Sequence, residues 1–125
     1  MKRKLILIVD DDHRGLKLTS DLLQASGYAT ITAADGEQGV KLAKERTPDL
    51  VLMDIKLPRL NGVAAMRALK TDPKTKGIPI IAVTAYAMRG DEERLLQQGF
   101  DDFLAKPVDI HMLLDRVRFH LHEEE

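Results

Sequence analysis

The sequence contains no cysteine. Disulfide staples and thiolate metal sites are therefore excluded, and the absence is compatible with a reducing compartment. No apolar run approaches the roughly 20 residues that a bilayer-spanning helix needs. Met1-Lys2-Arg3-Lys4 resembles the basic end of a secretory leader, but the run after it, Leu5 to Val9, is too short for a signal core and acids follow at once. A soluble, cytoplasmic chain is expected. Charge of one sign is lacking too. The 19 basic and 20 acidic side chains leave a formal net charge of −1, so neither nucleic acid nor an anionic membrane is expected as a partner. No repeat, linker or low-complexity segment interrupts the chain. Its 125 residues suit one domain over residues 1–125, which can hide about two-thirds of its unfolded surface in a single core.

What is present is an alternation. Leu5 to Val9 is a continuous, branched apolar run, as expected of a strand buried on both faces. Leu16, Thr19, Leu22, Leu23 and Ser26 then recur at helical spacing, and Gly27 stands where a left-handed C-cap belongs. Ala29 to Ala33 predicts a second strand and Gly36 to Arg46 a helix, with Val40 and Ala43 inward and weakened by Gly36 and Gly39. Leu50 to Met53 predicts the third strand, ending at Asp54, and Val63 to Thr71 a helix that Asp72-Pro73 breaks. Ile78 to Val83 predicts the fourth strand, ending at Thr84. Met88 to Gln98 predicts a helix closed by Gly99, and Phe103 to Ala105 the fifth strand, ending at Lys106-Pro107. Ile110, Leu113, Leu114, Val117 and Leu121 form the clearest helical stripe, and the acidic tail from Glu123 is expected to fray. Five strands alternating with five helices imply an α/β doubly wound parallel sheet with right-handed crossovers.

The polar residues are placed non-randomly. Strand one ends in Asp10-Asp11-Asp12, strand three in Asp54, strand four in Thr84 and strand five in Lys106. In an open α/β sheet the carboxyl ends of the strands share one edge, where ligands bind. Carboxylates brought together there repel, and a hard divalent cation such as Mg²⁺ relieves the conflict. A carboxylate can also attack phosphorus and form an aspartyl phosphate. Lys106 can add positive charge and Thr84 a hydroxyl donor for the phosphoryl oxygens. One acid has a plainer role: Asp12, nearest the first helix, suits its N-cap, whereas three acids are more than one cap requires.

These residues resemble a known family. Ile6 to Asp12 resembles the acid-pair strand of response-regulator receivers, and Asp49 to Pro58 with Asn61-Gly62 their phosphoacceptor segment. Ala82-Val83-Thr84-Ala85 is similar to the switch-threonine segment and Ala105-Lys106-Pro107 to the lysine segment, so the likeness runs from about Lys4 to Leu121. The resemblance implies a flavodoxin-like, CheY-like (βα)5 fold with strand order 2-1-3-4-5. It implies that Asp54 accepts a phosphoryl group from a sensor histidine kinase or a histidine phosphotransfer protein. It implies a Mg²⁺ or Mn²⁺ site made by Asp11, Asp54, the backbone carbonyl of Lys56 and, through water, Asp10. Thr84 and Phe103 would act as the switch, Lys106 would contact the phosphoryl oxygens, and the Lys106–Pro107 bond would be cis. A downstream protein would read the surface of the fourth helix, fifth strand and fifth helix. Ala85-Tyr86-Ala87-Met88 with Gly90 to Arg94 is similar to the single-domain DivK-type regulators in particular. Phe103 stands where many receivers carry tyrosine, so the ring is kept without its hydroxyl. Ala85 leaves room beside the phosphoryl group, and Tyr86 is bulky enough to shield it from water.

Other readings stay open on sequence alone. A receiver cut from a longer regulator or hybrid kinase would look the same. A phosphatase acting through an aspartyl phosphate would want a second acid two residues past Asp54, where Lys56 stands. His13, His111, His120 and His122 are expected at the surface or at helix ends. Asp115, Arg116 and Arg118 are expected on a solvated helix face.

Overall fold

In the computed structural model, which describes residues 3–85 and 90–123, the alternation folds as the pattern predicts. The strands are β1 (Leu5–Val9), β2 (Ala29–Ala33), β3 (Leu50–Asp54), β4 (Ile80–Thr84) and β5 (Asp102–Ala105). The helices are α1 (His13–Ala25), α2 (Gly36–Arg46), α3 (Gly62–Lys70), α4 (Asp91–Gln98) and α5 (Ile110–His120). All strand pairs are parallel, in the order β2-β1-β3-β4-β5. β3 is central and its five residues are all buried, which is why its sequence shows no polar alternation before Asp54.

Two cores flank the sheet. Leu7, Val9, Val51, Met53, Ile80 and Ala82 face α2, α3 and α4, represented by Ala43, Met66, Leu69 and Leu95. Ile6, Ile8, Leu50, Leu52, Ile81, Val83 and Leu104 face α1 and α5, where Leu16, Leu23, Leu113, Val117 and Leu121 pack. Among the described residues, no helix is long and apolar enough to cross a membrane.

Local chemistry fixes the helix ends. Asp12 caps α1 by accepting from the Arg14 amide at 3.2 Å, Asp35 caps α2 from Gln38 at 2.8 Å and Asp109 caps α5 from His111 at 2.8 Å, each satisfying an amide the first turn leaves unpaired. Gly27 has φ +99°, as a residue just past the α1 C-cap should. Gly36 weakens the intrinsic propensity of α2, but a Cβ there would overlap the backbone carbonyl of Leu60. Close approach of α2 to the β3–α3 connection therefore requires glycine.

Several expectations are corrected. β4 starts at Ile80, not Ile78, because Pro79 has no N–H for the ladder. The inward face of α1 carries Ser20, not Ser26: Ser20 is buried and its hydroxyl lies 2.7 Å from that of Thr30. Ser26 is exposed and its hydroxyl bonds back to the Leu22 carbonyl. The predicted α4 start at Met88 lies outside the described residues. Glu123, expected to fray, accepts a 2.6 Å hydrogen bond from the Tyr28 hydroxyl.

Candidate functional site

Strand parity sorts the strand-end residues. Ile6 and Ile8 face α1 and α5, and Asp10 continues that series; Leu50 and Leu52 face the same way, and Asp54 follows them. Lys106 continues the series of Leu104. Thr84 follows Ile80 and Ala82, which face α3 and α4, and Phe103 packs against the same core. The cross-strand pairs Ala82↔Phe103 and Thr84↔Ala105 put Thr84 and Phe103 on one sheet face as diagonal neighbours.

The acids do converge. Asp10, Asp11 and Asp54 each offer a carboxylate oxygen, and the three oxygens lie within 4.8 Å of one another. Asp10 and Asp54 are buried, at 8% and 7% exposure, whereas Asp11 is exposed. The Lys106 ammonium bridges them, 2.9 Å from Asp54 Oδ2 and 3.1 Å from Asp10 Oδ2. The other oxygens take backbone donors: Asp10 Oδ1 accepts from the Asp12 amide at 2.9 Å and Asp54 Oδ1 from the Lys56 amide at 3.3 Å.

Burial pushes the Asp54 carboxyl above its ordinary value. The Lys106 hydrogen bond and charge pull it down, and Asp10 adds to the rise. For Lys106, burial disfavours the ammonium, but its bonds to Asp54 and Asp10 outweigh burial and the net shift is upward. The two directions are compatible: the pair is attractive, yet one lysine cannot offset both the burial of Asp54 and its like-charged neighbour. The donor set is all oxygen, carries excess negative charge and opens to solvent at Asp11. Those properties fit a hard divalent cation.

The loops complete the site. Asn61 caps α3, its Oδ1 accepting from the Ala64 amide at 2.9 Å. Beside it Gly62 bonds through its amide to the Ile55 carbonyl at 2.9 Å, and a Cβ on Gly62 would overlap the Asp54 backbone carbonyl. The close return of the chain under Asp54 thus rests on a glycine whose role the motif alone does not reveal. A groove of about 510 Å³ is lined by Asp11, Ile55, Lys56, Leu57, Pro58, Asn61 and Val63, so the exposed acid faces open space. Thr84 is buried and Ala85 exposed. The Thr84 carbonyl accepts from the Lys106 amide at 2.9 Å, which links the ends of β4 and β5. Phe103 is half-buried, and the Lys106–Pro107 bond is cis. Tyr86 lies outside the described residues.

His120 ends α5, as expected of a helix-end residue, but Arg116 is not simply solvated. His120 and Arg116 are engaged by Asp102 at the start of β5, through contacts of 2.8 Å from His120 Nε2 and of 3.1 and 3.2 Å from Arg116 Nη1. Charge alternation along α5 hid this pairing. The available signal was parity: Asp102 shares the face of Leu104, and residues 116 and 120 lie one turn apart on the helix covering that face.

Comparison with known proteins agrees with the geometry. The response regulator receiver domain model matches residues 6–118. The polar-differentiation response regulator DivK of Brucella anthropi is 42% identical over 118 residues, covering 94% of this chain and 96% of that protein. A response regulator from Chloroflexus aurantiacus superposes with a TM-score of 0.91 at 30% identity, covering 98% of this chain and 100% of that one. The receiver domain of a sensor histidine kinase from Pseudomonas aeruginosa, solved with magnesium coordinated in its active site cleft, superposes with a TM-score of 0.89 at 34% identity and the same coverage. A parallel sheet in the order 2-1-3-4-5, acids at the ends of its inner strands and these matches lead to one assignment: the chain belongs to the response regulator receiver family of two-component signalling.

Proposed function

We propose that Asp54 is the phosphoacceptor of this receiver and that phosphorylation changes which proteins bind its α4-β5-α5 surface. One observation carries the reading. A buried carboxylate at the end of the central strand lies within 4.8 Å of two further acids and 2.9 Å from a lysine ammonium. An Asp54 oxygen attacks the phosphorus of a phosphohistidine on a sensor kinase or histidine phosphotransfer protein. The new O–P bond forms as the N–P bond breaks, and the electron pair returns to the imidazole. Lys106 holds a phosphoryl oxygen in this reading, and the Thr84 hydroxyl donates to another once its side chain turns toward the acids. Asp11, Asp54 and the Lys56 carbonyl, with Asp10 beside them, would hold Mg²⁺ or Mn²⁺, which supplies positive charge to the transferred oxygens. Exposed Leu96 on α4 and Met112 and Phe119 on α5 supply apolar contacts for a downstream protein.

The test is direct. Incubated with Mg²⁺ and acetyl phosphate, the protein should gain one phosphoryl group by intact mass, and Asp54→Asn should gain none. An adduct that persists in Asp54→Asn, or a parent protein that never acquires one, overturns the reading.

A further inference from the structure

Apart from Asp10 and Asp54, Asp102 is the one buried carboxylate among the described residues, at 8% exposure. Its oxygens serve three residues on two elements, β5 and α5. Oδ1 accepts from the Phe103 amide at 2.8 Å and from Arg116 Nη1 at 3.1 Å. Oδ2 lies 3.2 Å from the same Arg116 nitrogen and 2.8 Å from His120 Nε2. A carboxylate only accepts, so Nε2 carries the proton in that contact. The His120 side chain is only 12% exposed, whereas its neighbour Phe119 is 71% exposed. The tie is thus roofed by the last turns of α5, and the surface just above it is open.

The strand between the two charge clusters is short. Asp102 opens β5, and Lys106 follows its last residue, Ala105. Four residues at about 3.3 Å each separate them by about 13 Å of extended chain. β5 is an edge strand, held by hydrogen bonds to β4 alone. At one end it is fastened to the phosphoacceptor through Lys106, and at the other to α5 through Asp102. Phe103 lies between these anchors, with its backbone amide held by the Asp102 carboxylate.

We propose that the Asp102–Arg116–His120 tie transmits the phosphorylation state of the site to α5; the inference rests on the reading of Asp54 as phosphoacceptor. When Lys106 shifts its bonds from Asp10 to phosphoryl oxygens, β5 and the Phe103 backbone adjust. Asp102 carries that adjustment into the last turns of α5, because Arg116 and His120 move with its carboxylate. Arg116 supplies the charge that lets Asp102 remain buried. His120 fixes the direction, since its ring reaches one carboxylate oxygen from a side chain with little freedom to swing.

The test uses the full chain in ¹H–¹⁵N correlation spectra, before and after acetyl phosphate with Mg²⁺, with adduct formation followed by intact mass. In the parent, amides of Asp11 and Gly62 at the site and of Val117, Phe119 and His120 on α5 should all shift. Asp102→Leu removes every acceptor at a site facing an apolar core. It should take up the phosphoryl group at the parental rate and keep the shifts at the site, while its α5 shifts fall by about threefold or more, as coupling losses of this kind allow. His120→Leu should weaken the α5 response, and His120→Gln, which retains a donor at that reach, should restore it. This pair carries the test if Asp102→Leu does not fold. A full α5 response in phosphorylated Asp102→Leu, or equal responses in His120→Leu and His120→Gln, overturns the tie. If the parent takes up no phosphoryl group, the phosphoacceptor reading and the tie fall together.

Discussion

Replacing Lys106 with methionine tests the electrostatics of the site while retaining most of the side chain's bulk. Two unit charges at the observed contacts of 2.9 and 3.1 Å attract by about 5–6 kcal/mol each at an effective dielectric constant of about 20. Two carboxylates at the outer separation of 4.8 Å repel by about 3.5 kcal/mol on the same scale. The lysine more than offsets the repulsion between Asp10 and Asp54, but its own desolvation returns part of the gain. Breaking a fully buried pair typically costs about 3–5 kcal/mol. Lys106 retains 26% side-chain exposure, so a loss of about 2–3 kcal/mol is expected at neutral pH without divalent cation. The deficit should depend on pH in a defined sense. Burial holds the Asp54 carboxyl above its ordinary value, and Lys106 pulls it down, so removing Lys106 raises it further. Between the unfolded and the folded value, the native state keeps a proton that the unfolded state has released, and stability falls as pH rises through that window. The deficit should therefore be complete at neutral pH and shrink as pH drops toward the ordinary carboxylate range. Millimolar Mg²⁺ should stabilise Lys106→Met more than the parent, because the variant has lost the ammonium that neutralises Asp10 and Asp54. Urea denaturation in EDTA and in Mg²⁺, at several pH values, measures all three quantities. A deficit independent of pH, or a Mg²⁺ gain no larger than the parent's, would refute the account.

Gly62→Ala should cost about 1–3 kcal/mol in urea melts, since the new methyl overlaps the Asp54 carbonyl, and should slow uptake of phosphate from acetyl phosphate by displacing Asp54; parental stability would contradict the close approach. Tyr28, whose hydroxyl donates to Glu123, is pushed by burial from 10.0 to about 12. Stability should then fall as pH rises through that interval, and Tyr28→Phe should flatten the fall in alkaline melts. Tyr86→Ala should shorten the lifetime of the aspartyl phosphate, followed by intact mass over time; an unchanged or longer lifetime would dismiss the shielding expected of that ring.

Most of the fold was legible because buried parallel strands announce themselves as apolar runs. The spans of β2 and α2 coincide with their sequence patterns, and so does the capping of α1 by Asp12. The cluster of Asp10, Asp11, Asp54 and Lys106 was legible for a topological reason: each of these residues follows a strand, and parallel strands bring their ends to one edge. What stayed hidden depends on partners distant in sequence. Ser20 gains its buried place from Thr30, which periodicity along α1 does not report. Arg116 matches a solvated helix face, and His120 a plain helix end, until Asp102 appears beneath them. Gly36 looks like a weak helix position and Gly62 like a loop residue, yet each is set by a backbone carbonyl pressing on it from another segment.

The central position of β3 has a consequence for timescales. With β1 hydrogen-bonded on one side and β4 on the other, β3 can open only when the sheet itself comes apart, so its amides should exchange with solvent hydrogen at the rate of global unfolding. β5, paired on one side only, is free to open at lower cost. Asp54 therefore hangs from one of the slowest-opening strands of the sheet, while the lysine that meets it follows the quicker β5.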